Sequence, residues 1–232
     1  MTDNLEALRD ALPRLGEGVA ITLQLTLGGA LVAFIVSVVF GLLSISPAGP
    51  LRWVSTVVVE FFRGTSLVVQ LFWLYYVMPL FGVSMDAVLT GVIALGLNYG
   101  AYGAEIVRGS INAVDKGQWE GATALNMSPL TRMRRIIWPQ AWVLMLSGYN
   151  NLLVMLIKGT AVALFIGLQD LGYQIDELRV DTATIFAYGI GLLLYYLIAL
   201  AASTGLRALE KRARRRLGLS AGSVHASAGA AL

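Results

Sequence analysis

Long apolar runs separated by short charged stretches make up most of the chain. A helix rises about 1.5 Å per residue, so crossing a hydrocarbon core of about 30 Å takes about 20 mostly apolar residues. Five segments meet that length, at about 19–45, 54–81, 87–107, 137–157 and 183–206. Upstream of the first, Leu5, Leu8, Leu12 and Leu15 recur at helical spacing among charges. That pattern predicts an amphipathic segment over 1–18 lying on the outer membrane surface. The same stretch carries Asp3, Glu6 and Asp10 and lacks the basic flank of a signal peptide, so the first run reads as a retained span. The expectation is an all-α integral membrane protein with about five transmembrane helices.

Composition narrows this further. The chain is 57% hydrophobic and only 13% charged, with a mean hydropathy of +0.72, which excludes a large water-soluble core. Cysteine is absent and the one histidine, His225, lies in a Ser/Ala/Gly-rich tail. Disulfides, Cys-ligated metals, iron–sulfur clusters and a Ser-His-Asp hydrolase therefore have no material here, and neither catalytic nor metal-binding residues are expected.

Charge placement gives a topology. Arg52, then Arg108, Lys116, Arg132, Arg134 and Arg135, then the run Arg207 to Arg216 all fall on one side of a five-span chain. Asp86, Asp170, Asp176, Glu177 and Asp181 fall on the other, where Arg9, Arg14 and Arg179 are the only basic residues. By the positive-inside bias the N-terminus is expected outside and the C-terminus inside. The basic run directly after the last span reads as a topology anchor rather than a nucleic-acid site, opening a basic, then disordered, cytoplasmic tail over 207–232.

The segment joining the third and fourth spans, about 109–136, is far longer than a helix-to-helix turn needs. Gln118 to Leu125 reads as one short helix, ended by Asn126, a residue that tolerates the left-handed conformation. Ser128 and Pro129 then read as the N-cap and first-turn proline of a second helix through Arg132, Arg134 and Arg135. A bent helical elbow is predicted to project from the membrane.

The elbow carries a family resemblance. Glu120-Gly121-Ala122, Asn126, Ile136 and Pro139 resemble the EAA motif of membrane subunits of ATP-binding-cassette importers, with matching spacing throughout. Gly121 stands for the second-position Ala, Asn126 for Gly and Trp138 for Leu. Arg63-Gly64-Thr65-Ser66-Leu67-Val68-Val69-Gln70-Leu71 resembles the "RGTPLLVQL" signature of the polar amino-acid permease branch, with Ser66 in place of Pro. Ala101 to Gly109 resembles its "AYxAExxRG", and Lys158-Gly159-Thr160 its "KDTSL" with Asp and Ser lost. The likeness covers about residues 18–206.

The resemblance implies a type I importer permease core in a bacterial inner (cytoplasmic) membrane. It implies pairing with a second, identical or non-identical permease subunit, two ATP-binding subunits and an extracytoplasmic substrate-binding protein. The cargo implied is a polar amino acid or an amino-acid-derived zwitterion such as the compatible solute ectoine. ATP and Mg belong to the partner ATPase, and no cofactor is implied for this chain. In agreement, the three lysines are followed by Gly, Gly and Arg, so no P-loop is present. The implied ATPase-coupling residues are Gly117, Glu120, Gly121, Ala122, Asn126, Pro129, Arg132 and Arg135.

Polar residues within spans are costly and often mark a transport path. At 100° per residue, Asn98, Tyr102 and Glu105 share one face of the third span, while Gly96, Gly100 and Gly103 share roughly the opposite one. Gln140, Ser147, Asn151 and Lys158 lie within about 20° of one face of the fourth. Arg63 and Gln70 align on the second. Arg63, Gln70, Asn98, Tyr102, Glu105, Ser147, Asn151, Lys158 and Thr160 are thus the candidate substrate path, and the alternative for each is interhelical bonding that fixes the bundle. An ion-coupled secondary transporter or channel is the competing function. It calls for internal repeats or discontinuous half-helices, and the sequence shows no repeat.

Overall fold

A computed structural model describes residues Thr2–Arg216. Every regular element among them is helical: α1 (Thr2–Ser44), α2 (Gly49–Gly64), α3 (Leu67–Phe72), α4 (Ala87–Asn112), α5 (Lys116–Ala124), α6 (Pro129–Arg132), α7 (Trp138–Gly159), α8 (Leu171–Asp181) and α9 (Thr184–Arg216). Among the described residues, four helical stretches are long and apolar enough to cross a membrane, and α2 with α3 makes a fifth if counted as one broken span.

The predicted second span is therefore not one continuous helix. Its two halves meet at 101°. Gly64 ends α2, Thr65 and Ser66 are extended, and Ser66 precedes the first turn of α3. Backbone groups freed inside a membrane must be satisfied by protein, and Gln70 supplies the partner. Its Nε2 donates to the Phe62 carbonyl at 2.9 Å and to Thr65 Oγ1 at 2.6 Å.

The 1–18 segment is also not separate. It is the first part of α1, and Ala11 and Leu15 pack there against Leu171, Ile175 and Leu178 of α8. Helix α8 itself was not predicted. Asp170 caps it by accepting from Tyr173 N at 3.0 Å, and Thr22 of α1 accepts from Leu171 N at 3.1 Å. The basic run continues α9 to Arg216, while residues 217–232, including His225 and the expected disordered tail, lie outside the described residues.

Helices α1 and α4 form the tightest pair. The predicted glycine face of α4 meets α1, and a Cβ at Gly100 would sit 2.6 Å from Val36 Cβ, with Gly103 equally close to Ser37 Cβ. Leu25, Ala33, Leu95, Leu152 and Leu156 fill the core between α1, α4 and α7. Tyr99 ties the far end of α7 to α4 by donating to the Met155 carbonyl at 3.0 Å.

Two π-helical turns, Trp73–Val77 and Met133–Ile137, each end two residues before a proline, Pro79 and Pro139. A proline offers no N–H to the helical ladder, and widening the preceding turn absorbs the mismatch. Consequently α6, the second π turn and α7 run on as a single rod from Pro129, continuing through a 3₁₀ turn at Thr160–Ile166. The second elbow helix and the fourth span are one element.

Candidate functional site

The elbow is built as its local signals predict. Asp115 caps α5 by accepting from Gly117 N at 2.7 Å. Asn126 adopts a left-handed φ of 53°, and Met127 N closes the helix end on the Ala122 carbonyl at 3.1 Å. Ser128 accepts from Thr131 N at 3.4 Å at the start of α6, with Pro129 in its first turn.

The implied coupling residues divide into two groups. Gly117, Glu120, Gly121, Asn126, Pro129 and Arg135 are exposed, and a Cβ at Gly121 would meet nothing within 4 Å, so no contact among the described residues demands glycine there. Ala122 is instead buried inside the elbow, and Arg132 braces it. The Arg132 guanidinium lies 5.2 Å from the Trp119 ring centroid and donates to Thr123 Oγ1 at 2.8 Å, binding α6 to α5. Gln140 donates to Gln118 Oε1 at 3.2 Å and fastens the elbow to α7. Sequence reasoning missed Leu125 and Leu130, which stand 75% and 79% exposed at the tip. Two large apolar side chains flanking a left-handed Asn in a short polar loop were the available signal.

The polar span residues also divide. Asn98 is buried and donates to the Phe62 carbonyl at 3.1 Å and to Gln70 Oε1 at 3.3 Å. Tyr102 OH donates to the Arg63 carbonyl at 3.4 Å, and the Arg63 guanidinium sits 5.6 Å from the Tyr102 ring centroid. Arg63 also pairs with Glu60 at 3.2 Å, and Arg108 pairs with Glu105. Thus Arg63, Gln70, Asn98 and Tyr102 converge on the end of α2 and hold its bend, with Glu105 close by on the same face of α4. Thr160 is buried and donates to the Ile157 carbonyl at 2.8 Å.

Ser147, Asn151 and Lys158 are different. All three are exposed on one face of α7, and none donates or accepts a side-chain hydrogen bond among the described residues. Lys158 lines a groove of about 770 Å³ together with Tyr195, Tyr196, Ser203 and Arg207 of α9. These α9 residues were also missed. Offsets of 7 and 11 residues place Tyr196, Ser203 and Arg207 within about 20° of one face, so the arithmetic applied to the fourth span would have found them. Next to Asn151, Asn150 is buried with its Oδ1 unpartnered among the described residues.

Comparison with known proteins places this arrangement. The family described as "Binding-protein-dependent transport system inner membrane component" matches residues 29–215. The chain is 40% identical over 215 residues to the probable amino-acid ABC transporter permease protein y4tF of Sinorhizobium fredii (strain NBRC 101917 / NGR234), covering 89% of this chain and 90% of that one. It is 35% identical over 205 residues to the L-cystine transport system permease protein TcyB of Bacillus subtilis (strain 168), covering 88% of each. Among solved structures, an amino acid ABC transporter crystallised with histidines superposes with a TM-score of 0.81 at 33% identity, covering 88% of this chain and 96% of that one. The MetNI methionine ABC transporter superposes at 0.71 with 19% identity, over 85% and 96%, a likeness of fold. The chain therefore belongs to the binding-protein-dependent transport system inner membrane components, the permease subunits of ATP-binding-cassette importers, with the type I permease fold.

Proposed function

We propose that this permease carries a polar amino acid or an amino-acid-derived zwitterion, ectoine-like solutes included, across a bacterial inner membrane with its N-terminus outside and C-terminus inside. It works beside a second permease subunit, takes cargo from an extracytoplasmic binding protein, and is driven by two ATPase subunits that bind ATP and Mg. The relatives named for L-cystine and for amino acids support the cargo class.

The observation that carries the reading is the pairing, on one rod, of an exposed elbow with a polar stripe that has no hydrogen-bond partner among the described residues. Leu125, Leu130, Glu120 and Gly121 offer an apolar and sterically open tip for a groove on the ATPase. Ser147, Asn151 and Lys158 face away from the subunit's own core along the continuation of the same rod. Movement of the ATPase pair displaces the tip, the rod tilts, and the polar stripe is presented alternately to either side of the membrane. The Lys158 ammonium attracts the carboxylate of the zwitterion, while Asn151 and Ser147 offer hydrogen bonds to its remaining polar groups.

The test is uptake by the complete transporter reconstituted in vesicles. Lys158→Met is expected to abolish uptake while the ATPase still co-purifies. Normal uptake by that variant overturns the substrate-path assignment. Gly121→Trp is expected to detach or uncouple the ATPase without loss of membrane insertion, and unchanged co-purification and transport overturn the coupling assignment.

A further inference from the structure

Two apolar hollows meet between α1, α7 and the basic end of α9. The larger, about 780 Å³, is lined by Phe34, Trp138, Trp142, Leu146, Leu209 and Arg212 among its walls. The second, about 310 Å³, shares Phe34, Trp142, Leu146 and Leu209 with it and runs on to Leu156. Together they form one trough that follows α7 from Trp138 to Leu156, about 27 Å at the rise of an α-helix.

The chemistry of the trough is graded along its length. Phe34 and Trp142 meet edge to face at 5.8 Å in its wall. The Tyr149 hydroxyl, a polar group in the wall, is satisfied by Ser37 Oγ at 2.6 Å, so the slot beyond Trp142 offers apolar surface. Charge enters only at the elbow end. Arg212 lines the trough there, Lys211 and Arg215 stand beside it on α9, and Arg134 and Arg135 lie about one turn before Trp138. Arg214 is paired with Glu210, whereas Arg212 takes part in none of the ion pairs among the described residues. Tryptophans sit at headgroup level in membrane proteins, and Trp138 and Trp142 mark that level at the charged end.

An apolar trough that carries tryptophans at one end, beside an arginine outside every ion pair among the described residues, matches one amphiphile. We infer that the trough holds one anionic phospholipid of the surrounding bilayer, with an acyl chain along α7 and its phosphate group at Arg212. The lipid's second chain stays in the bilayer. A neutral phospholipid fills the same slot but brings no net negative charge to Arg212 and its basic neighbours on α9, Lys211 and Arg215. Seated there, the lipid joins the basic end of α9 to the root of the elbow.

The assembled transporter, reconstituted in nanodiscs of equal phosphatidylglycerol and phosphatidylcholine and then transferred to detergent, is the material for the test. Native mass spectrometry of the released permease is expected to find phosphatidylglycerol retained several-fold over phosphatidylcholine. Arg212→Gln, a change at an exposed side chain, should bring that ratio down toward the bulk ratio. Leu146→Trp should fill the slot and remove both lipids. Equal retention of the two lipids by the unaltered chain, or an unchanged ratio in Arg212→Gln, overturns the assignment. So does the absence of retained lipid from the assembled complex, the result expected if another membrane subunit covers this face.

Discussion

Asn98 and Gln70 share one hydrogen bond, Nδ2 to Oε1 at 3.3 Å, and both also donate to the carbonyl of Phe62, the group left open where α2 breaks. A helix end freed within the bundle is thus closed by two side-chain amides from different elements. Replacing either by an apolar residue leaves buried polar groups unpaired, at a cost of about 1–3 kcal/mol. Gln70→Leu is expected to lower the thermal midpoint of the purified permease, and Gln70→Leu with Asn98→Leu to lower it by less than the sum of the single changes. Additive losses in that double-mutant cycle would count against a shared clamp.

The α1–α4 contact gives a sharper contrast. A methyl group at Gly100 would lie 2.6 Å from Val36 Cβ and 3.2 Å from the Ala33 carbonyl, whereas one at Gly109 meets nothing within 4 Å among the described residues. Gly100→Ala should destabilise by about 1–3 kcal/mol through overpacking, while Gly109→Ala should be neutral or slightly stabilising because it restricts the unfolded chain. Thermal unfolding of the two variants side by side decides this.

Within the elbow, Arg132 and Arg135 should behave differently although the family motif spans both. Arg132→Gln removes the contact with Trp119 and weakens the link to Thr123, so amide exchange across Lys116–Ala124 is expected to quicken. Arg135→Gln should leave that exchange unaltered. Leu125→Asp and Leu130→Asp should also leave it unaltered, yet reduce recovery of the ATPase with the permease.

Asp170 links stability to pH. Burial pushes its carboxyl above the ordinary carboxylate range, against the opposing pull of its hydrogen bonds to Tyr173 and Gly172. The folded state therefore holds the proton more firmly than the unfolded chain. Below the unfolded pKa both states are protonated and burial of charge costs nothing; as pH rises through the folded pKa that cost appears and stability falls. Asp170→Asn, which retains a capping oxygen, should gain stability relative to the unaltered chain as pH is raised from the acidic range toward neutrality. Thermal midpoints of both proteins across that window would reveal a constant difference if Asp170 is not involved.

The spans and the elbow were legible because their signals are local: apolar run length, Asn126 at a helix end, and Ser128-Pro129 at a helix start. The glycine face of α4 was legible for the same reason, since helical spacing alone sets it. The break after Gly64 was not. Apolar content continues across it, and the residues that close the opened ladder, Gln70 and Asn98, are far apart in sequence from one another. Their alignment on span faces was visible, but periodicity cannot distinguish a residue facing a path from one bonded to a neighbouring backbone. Helix α8 was missed because its face is complementary to Ala11 and Leu15 of α1, a partner that no window around Leu171 contains.

The uninterrupted run from Pro129 to Lys158 has a mechanical corollary. By α-helical rise these residues are about 44 Å apart, so a tilt of about 5° around the midpoint carries each end about 2 Å in opposite directions. The π turn before Pro139 makes this possible, because a proline that had broken the helix would have left a joint between the two ends. Where a hinge could have stood, the elbow's second helix and Lys158 lie instead at opposite ends of one continuous helical element.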